Sequence, residues 1–161
     1  MPRSRPSPLN HELCYNNKVQ QNNENLKAKK AQVVVFNQKN NNTYVLLLQT
    51  NKDRGEFWQN ITGGVDEGES FQQGAKRELL EETGIDQEVH NTELSFQFHD
   101  RWGKDVTEKV FWTLSDHSMV KISNDEHQNF QWVNVKEITQ DHYRYPNNFQ
   151  AFKESLKCLE S

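Results

Sequence analysis

This chain of 161 residues is poor in cysteine, in positive charge and in continuous apolar sequence. Its two cysteines, Cys14 and Cys158, are too few for a disulfide framework and point to a reducing compartment. No apolar stretch comes near the roughly 18–20 residues that cross a bilayer, which excludes a membrane-spanning helix. No apolar core of a secretory signal follows the first residues, and Pro2, Pro6 and Pro8 break any amphipathic transit helix. A cytoplasmic protein is expected. Lysine and arginine number 19 against 23 acidic residues, for a net charge of −4. The basic residues are also unevenly placed. Residues 1–30 hold Arg3, Arg5, Lys18, Lys27, Lys29 and Lys30 against Glu12 and Glu24, a net +4, so residues 31–161 carry −8. Broad nucleic-acid binding needs a basic footprint, which that acidic portion lacks. Residues 1–30, with Asn and Gln runs and almost no apolar periodicity, are expected to be a disordered polar tail, and residues 31–161 a single domain.

From Ala31 short apolar segments begin. Gln32–Phe36 and Tyr44–Gln49 are rich in strand formers, and the turn-forming residues between them predict a hairpin. Leu94, Phe96 and Phe98 alternate with polar residues as a half-buried strand does. Val110, Trp112 and Leu114 alternate with Phe111 and Thr113 in a further strand, and 130–133 supplies another. Phe149, Phe152, Leu156 and Leu159 fall at helical spacing and predict an amphipathic helix docked on the sheet. Strands on both sides of a central helix, followed by a terminal helix, give the α/β class.

The segment 63–85 reads GGVDEGESFQQGAKRELLEETGI. Ser70 and Gln73 form a capping box, so a helix should begin there; Gly84 tolerates the left-handed conformation that ends one. Between them Glu78, Glu81 and Glu82 stand at i, i+3 and i+4 and share one face. Three glutamates in a stripe are in most proteins a solvated face. Here they follow Gly63-Gly64, where missing side chains let backbone approach a ligand or offer a carbonyl to a cation. Hard cations such as Mg²⁺ or Mn²⁺ take carboxylate and phosphate oxygens together. Arg77 is spaced to pair with Glu69 and Glu81, holding helix and loop in register.

The pattern Gly63, five residues, Glu69, seven residues, Arg77-Glu78-Leu79-Leu80-Glu81-Glu82-Thr83-Gly84-Ile85 fills every specified position of the Nudix box. A chance match is below roughly one in a million at even residue frequencies. The chain therefore resembles the Nudix hydrolases, which cleave nucleoside diphosphates linked to another moiety with the help of divalent cations. The resemblance implies an α/β/α sandwich with a mixed β-sheet. It also implies a pyrophosphatase site in which Gly63, Glu78, Glu81 and Glu82 hold Mg²⁺ or Mn²⁺, with Arg77 among the catalytic residues. Glu81 is open between ligand and base.

Shorter elements resemble the dihydroneopterin triphosphate diphosphatase branch: Phe57-Trp58-Gln59-Asn60-Ile61-Thr62-Gly63, then Val106-Thr107-Glu108 with Phe111-Trp112, then Asp125-Glu126-His127 followed by Trp132-Val133. That resemblance implies a metal role for Glu126 from a loop across the cleft, and a pterin substrate in folate synthesis. Trp58, beside the diglycine, is either a stacking platform for a flat ring or a core residue. Arg54, Arg101 and Lys104 lie in polar loops where they could meet substrate phosphates. The segment 99–104 departs from the branch, and loops flanking a cleft set its specificity. Nucleoside triphosphates, dinucleoside polyphosphates and 5′-triphosphorylated RNA therefore remain alternative substrates. A non-catalytic module that senses a nucleotide is the alternative of another class, and it would not require the intact acidic cluster.

Overall fold

The computed structural model describes residues 27–116 and 118–161. The expected tail lies outside them except for residues 27–30. Of these, Ala28, Lys29 and Lys30 open the first strand, three residues before the apolar pattern begins at Ala31. The cause is pairing. Lys30 sits between Glu108 of one neighbouring strand and Gly64 of another, and both backbone edges are used although the side chains are charged.

The strands are β1 (Ala28–Lys39), β2 (Asn42–Thr50), β3 (Trp58–Gln59), β4 (Ile61–Gly64), β5 (His90–His99), β6 (Asp105–Leu114) and β7 (His127–Asn134). Among the described residues two α-helices accompany them, α1 (Phe71–Thr83) and α2 (Pro146–Glu160). β1 and β2 meet through a two-residue turn in which Asn40 and Asn41 have φ of 53° and 64°. Asparagine tolerates the left-handed region that such hairpin turns require. β6 runs parallel to β1 and the remaining pairings are antiparallel, so the sheet is mixed.

β1 and β2 separate beyond their shared turn, and the gap is filled by a wedge. β3 pairs with β2, the chain reverses at Asn60, and β4 pairs with β1. Asn60 is fully buried at the apex, where its backbone N–H donates to Asn148 Oδ1 at 2.9 Å. The mouth of the wedge, at Trp58 and Gly64, opens at the sheet end where β2 finishes and β7 begins.

Both faces of the sheet are covered, which explains why β1 and β2 read as near-continuous apolar runs. Between α1 and the sheet lie Ala31, Val33, Val35, Leu46, Leu48, Ile61 and Phe111, with Ala75 and Leu79 contributed by the helix. Between α2 and the sheet lie Val34, Phe36, Val45, Leu47, Val110 and Tyr143, with Ala151 and Phe152 contributed by the helix. Among the described residues no helix is long and apolar enough to cross a membrane.

Candidate active site

α1 starts where its cap dictates. Ser70 Oγ accepts from the Gln73 N–H at 3.0 Å, and Gln73 Oε1 accepts from the Ser70 N–H at 2.8 Å. It ends at Gly84, whose φ of 75° closes the last turn. The carbonyls left over at a helix C-terminus need donors. Lys121 N–H donates to Thr83 O at 2.9 Å and Ser123 N–H to Glu82 O at 3.3 Å. These bonds draw the connection between β6 and β7 along the helix end. Asn51 fixes its far side, donating from Nδ2 to Asn124 O and from its N–H to Glu126 O. Asp125 and Glu126 are thereby held opposite the glutamates of α1.

The result is a cleft of about 410 Å³ lined by Glu78, Glu81, Glu82, Ser123, Asp125 and Glu126. Glu78 and Glu82 are buried and Glu81 is exposed. Burial pushes the Glu78 carboxyl up to about 6; Arg77 opposes this, while Glu81 and Glu82 add to it. Gly63 makes that burial possible, because a Cβ at Gly63 would overlap the Glu78 carboxyl group. Glycine is thus required here for space, whatever its carbonyl contributes.

Arg77 organises the approach to the cleft. It donates from Nε and Nη2 to the two oxygens of Glu69 at 2.9 and 3.0 Å, and from Nη1 to Glu78 and Glu81 at 3.0 and 3.1 Å. Nη2 also reaches Gly64 O at 2.7 Å. Its fork therefore ties the loop before α1, the end of β4 and the acidic face together. The hydrogen bond to Arg77 holds Glu69 below its usual value, and that to Glu69 raises Arg77 further.

The other candidates are distributed differently. Glu126 shares the cleft, and Arg54 stands at its edge, 3.6 Å from Glu126. Trp58 is half-buried and packs against the core under α2, on the opposite face of the sheet from Glu78. Arg101 and Lys104 occupy the exposed β5–β6 turn, two strands from β4, where Arg101 lies 4.2 Å over the Trp102 ring. The structure does not bring these two to the glutamates.

Sequence reasoning missed two features. His127, reduced to 1% exposure, has Nδ1 2.9 Å from Glu82 Oε2 and Nε2 3.0 Å from Gln59 Nε2. Its only sequence signal is adjacency to Glu126. Phe57 and Tyr145 meet edge to face at 5.5 Å, and Tyr145 is half exposed. Nothing in the sequence joins residues so far apart.

A divalent cation fits this arrangement. The donors are carboxylate oxygens, the type such ions prefer, and burial with the neighbouring Glu81 and Glu82 disfavours the charge on Glu78 that a cation would offset. Among the described residues, Glu82, Glu126 and His127 offer atoms within 4.8 Å of one another.

Known proteins resemble this chain in sequence and in fold. The dihydroneopterin triphosphate diphosphatase of Haemophilus influenzae is 29% identical over 137 residues, covering 77% of this chain and 84% of that one. An RNA pyrophosphohydrolase of Wolbachia pipientis subsp. Culex pipiens is 42% identical over 55 residues, 34% of this chain and 32% of that one. The chain spans about a third of the length of the curated relatives it matches first. The crystal structure of a C. elegans Ap4A hydrolase binary complex superposes with a TM-score of 0.69 at 24% identity, covering 83% of this chain and 98% of that one, which shows the fold. The family profile described as NUDIX domain matches residues 27–154, and the chain belongs to the Nudix family.

Proposed function

We propose that the chain is a Mg²⁺-dependent pyrophosphohydrolase that converts dihydroneopterin triphosphate to the monophosphate and pyrophosphate, with Mn²⁺ able to replace Mg²⁺. The observation that carries the reaction class is the buried Glu78 and Glu82 facing Glu126 across one cleft. Glu78, Glu82 and Glu126 would hold the cation, with the Gly63 carbonyl as a further oxygen donor. When bound, the ion neutralises the anhydride oxygens and acidifies a water.

The protein's own groups do the rest. Arg77 restrains Glu78 and Glu81 in position, so the carboxylates need little rearrangement when substrate enters. Glu81, exposed at the mouth, accepts the proton of the attacking water. The water oxygen bonds to phosphorus, the bridging P–O bond breaks, and its electron pair leaves with pyrophosphate. Arg54 at the cleft edge meets the departing charge.

The pterin assignment is supported by the Haemophilus relative, whose similarity extends over most of both chains. The half-buried Phe57, on the same loop as Arg54, and the exposed Tyr145 together supply aromatic surface for a flat ring. A second reading, hydrolysis of nucleoside polyphosphates or of 5′-triphosphorylated RNA, is favoured by the shorter but more identical Wolbachia match. The test is a panel of dihydroneopterin triphosphate, nucleoside triphosphates, Ap4A and triphosphorylated RNA, with products identified. Fastest release of pyrophosphate from the pterin is expected. A nucleotide or RNA turned over faster moves the assignment to the second reading, and no hydrolysis of any member with Mg²⁺ or Mn²⁺ removes the reaction class.

A further inference from the structure

We propose that His127 is a positioning residue: it fixes Glu82 by donating from Nδ1, and through Nε2 it ties that carboxylate to Gln59 on the β3–β4 wedge. The proposal rests on the metal-dependent reading of the cleft and adds a residue that the Nudix box does not contain.

Hydrogen-bond chemistry determines the tautomer. An ionised carboxylate can only accept, so the 2.9 Å contact between Nδ1 and Glu82 Oε2 puts the ring proton on Nδ1. The amide nitrogen of Gln59 can only donate, so the 3.0 Å contact at Nε2 uses the lone pair of that nitrogen. One neutral tautomer satisfies both contacts. A doubly protonated ring would set Nε2–H against the Gln59 amide hydrogens.

The same assignment decides what His127 does not do. Although it lies within ligand distance of Glu82 and Glu126, neither ring nitrogen retains a free lone pair for a cation. Burial at 1% exposure, beneath the residues that line the cleft, agrees with a supporting place. Glu82 gives one oxygen to the imidazole and keeps the other for the cleft. Carboxylates that bind cations are commonly oriented in this way by a second hydrogen bond. The chain Gln59–His127–Glu82 spans three elements, β3, β7 and α1. It therefore couples the wedge, which ends in Gly63-Gly64, to the helix that carries the acidic cluster.

A pair of near-isosteric variants separates positioning from packing. The side-chain nitrogen of asparagine overlays Nδ1, whereas that of glutamine overlays Nε2. His127→Asn should keep a donor to Glu82 and bind Mn²⁺, measured by titration of its free paramagnetic signal, within about threefold of the parent. His127→Gln should weaken Mn²⁺ binding by about 10–100-fold and lower kcat, while melting close to His127→Asn. Equal Mn²⁺ affinity in the two variants overturns the proposal. A pulsed EPR spectrum of the Mn²⁺-loaded parent protein provides a second check that needs no variant: absence of a directly coordinated nitrogen is expected, and its presence makes His127 a ligand instead. If the parent protein binds Mn²⁺ but cleaves no phosphoanhydride, the functional reading fails while the positioning result stands on the binding data.

Discussion

Two buried glutamates face opposite sides of the same sheet, and burial raises the proton affinity of both. Glu108, under α2, is surrounded by neutral donors: Gln32 Nε2 reaches one oxygen at 2.9 Å and Thr62 Oγ1 the other at 3.0 Å. The chain of bonds continues through Asn60 to the Tyr143 hydroxyl and to Asn148. Glu78, under Gly63, has Arg77 on one oxygen and two further carboxylates nearby that oppose its ionisation. The first site is closed, with each oxygen partnered from within the chain. The second is open to a cleft, and burial and its two neighbouring carboxylates oppose the charge that Arg77 favours. A buried acid is therefore no marker of function by itself; its neighbours decide.

The contrast is broken most severely by removing charge from the open site. Glu82→Gln preserves shape and should lower kcat with Mg²⁺ by about a thousandfold or more, a loss of several kcal/mol of transition-state stabilisation, with an unchanged far-UV spectrum. Turnover at the parent rate would remove Glu82 from the metal site. Steric intrusion comes next. Gly63→Ala places a methyl in the space of the Glu78 carboxyl group and should cost about a hundredfold in kcat, as small misplacements of reacting groups do. Gly64→Ala is the control, since a Cβ there meets nothing within 4 Å, and its rate should stay within about threefold. Equal rates for the two alanine variants would mean that Glu78 need not sit where it does.

A smaller effect concerns stability without metal. The Glu78 carboxyl holds its proton up to about 6 in the fold against 4.5 when free. Its contribution is thus fully present below about 4.5, and it is lost as pH rises through 6, where the folded state must carry a buried charge. Glu78→Gln removes that penalty. The variant should be inactive, yet without metal at pH 8 it should melt a few degrees above the parent, corresponding to roughly 1–2 kcal/mol. At pH 4.5 the advantage should vanish. Thermal melts in EDTA across this range check the sign, and a variant that melts lower at pH 8 would mean that Arg77 outweighs desolvation.

Legibility in the sequence follows the range of the interactions. The cap of α1, its glycine stop and the stripe of Phe149, Phe152, Leu156 and Leu159 are local, and they appear where local rules put them. The acidic cluster was legible because helical spacing alone brings Glu78, Glu81 and Glu82 to one face. The first residues of β1 were not legible as strand, because Lys29 and Lys30 are charged and only the pairing of β4 and β6 with them shows their place. The orientation of Trp58 depends on the reversal at Asn60, which needs a partner 88 residues away. His127 meets Glu82 across 45 residues and Gln59 across 68, so neither contact leaves a trace in spacing.

The smallest effect is expected at the closed site. Glu108→Gln retains an oxygen for Gln32 and turns its amide nitrogen to the Thr62 hydroxyl, which accepts as readily as it donates. Each polar group keeps a partner, so stability should change by less than about 1 kcal/mol and kcat by less than about twofold. Glu108→Leu, in contrast, leaves Gln32 and Thr62 without their acceptor in a buried setting and should destabilise by about 1–3 kcal/mol. Whatever fraction of it stays folded should hydrolyse substrate normally. A tenfold loss of kcat in Glu108→Gln with an unchanged melting temperature would place this network in contact with the reacting substrate, and the division between a structural and a catalytic face of the sheet would no longer hold.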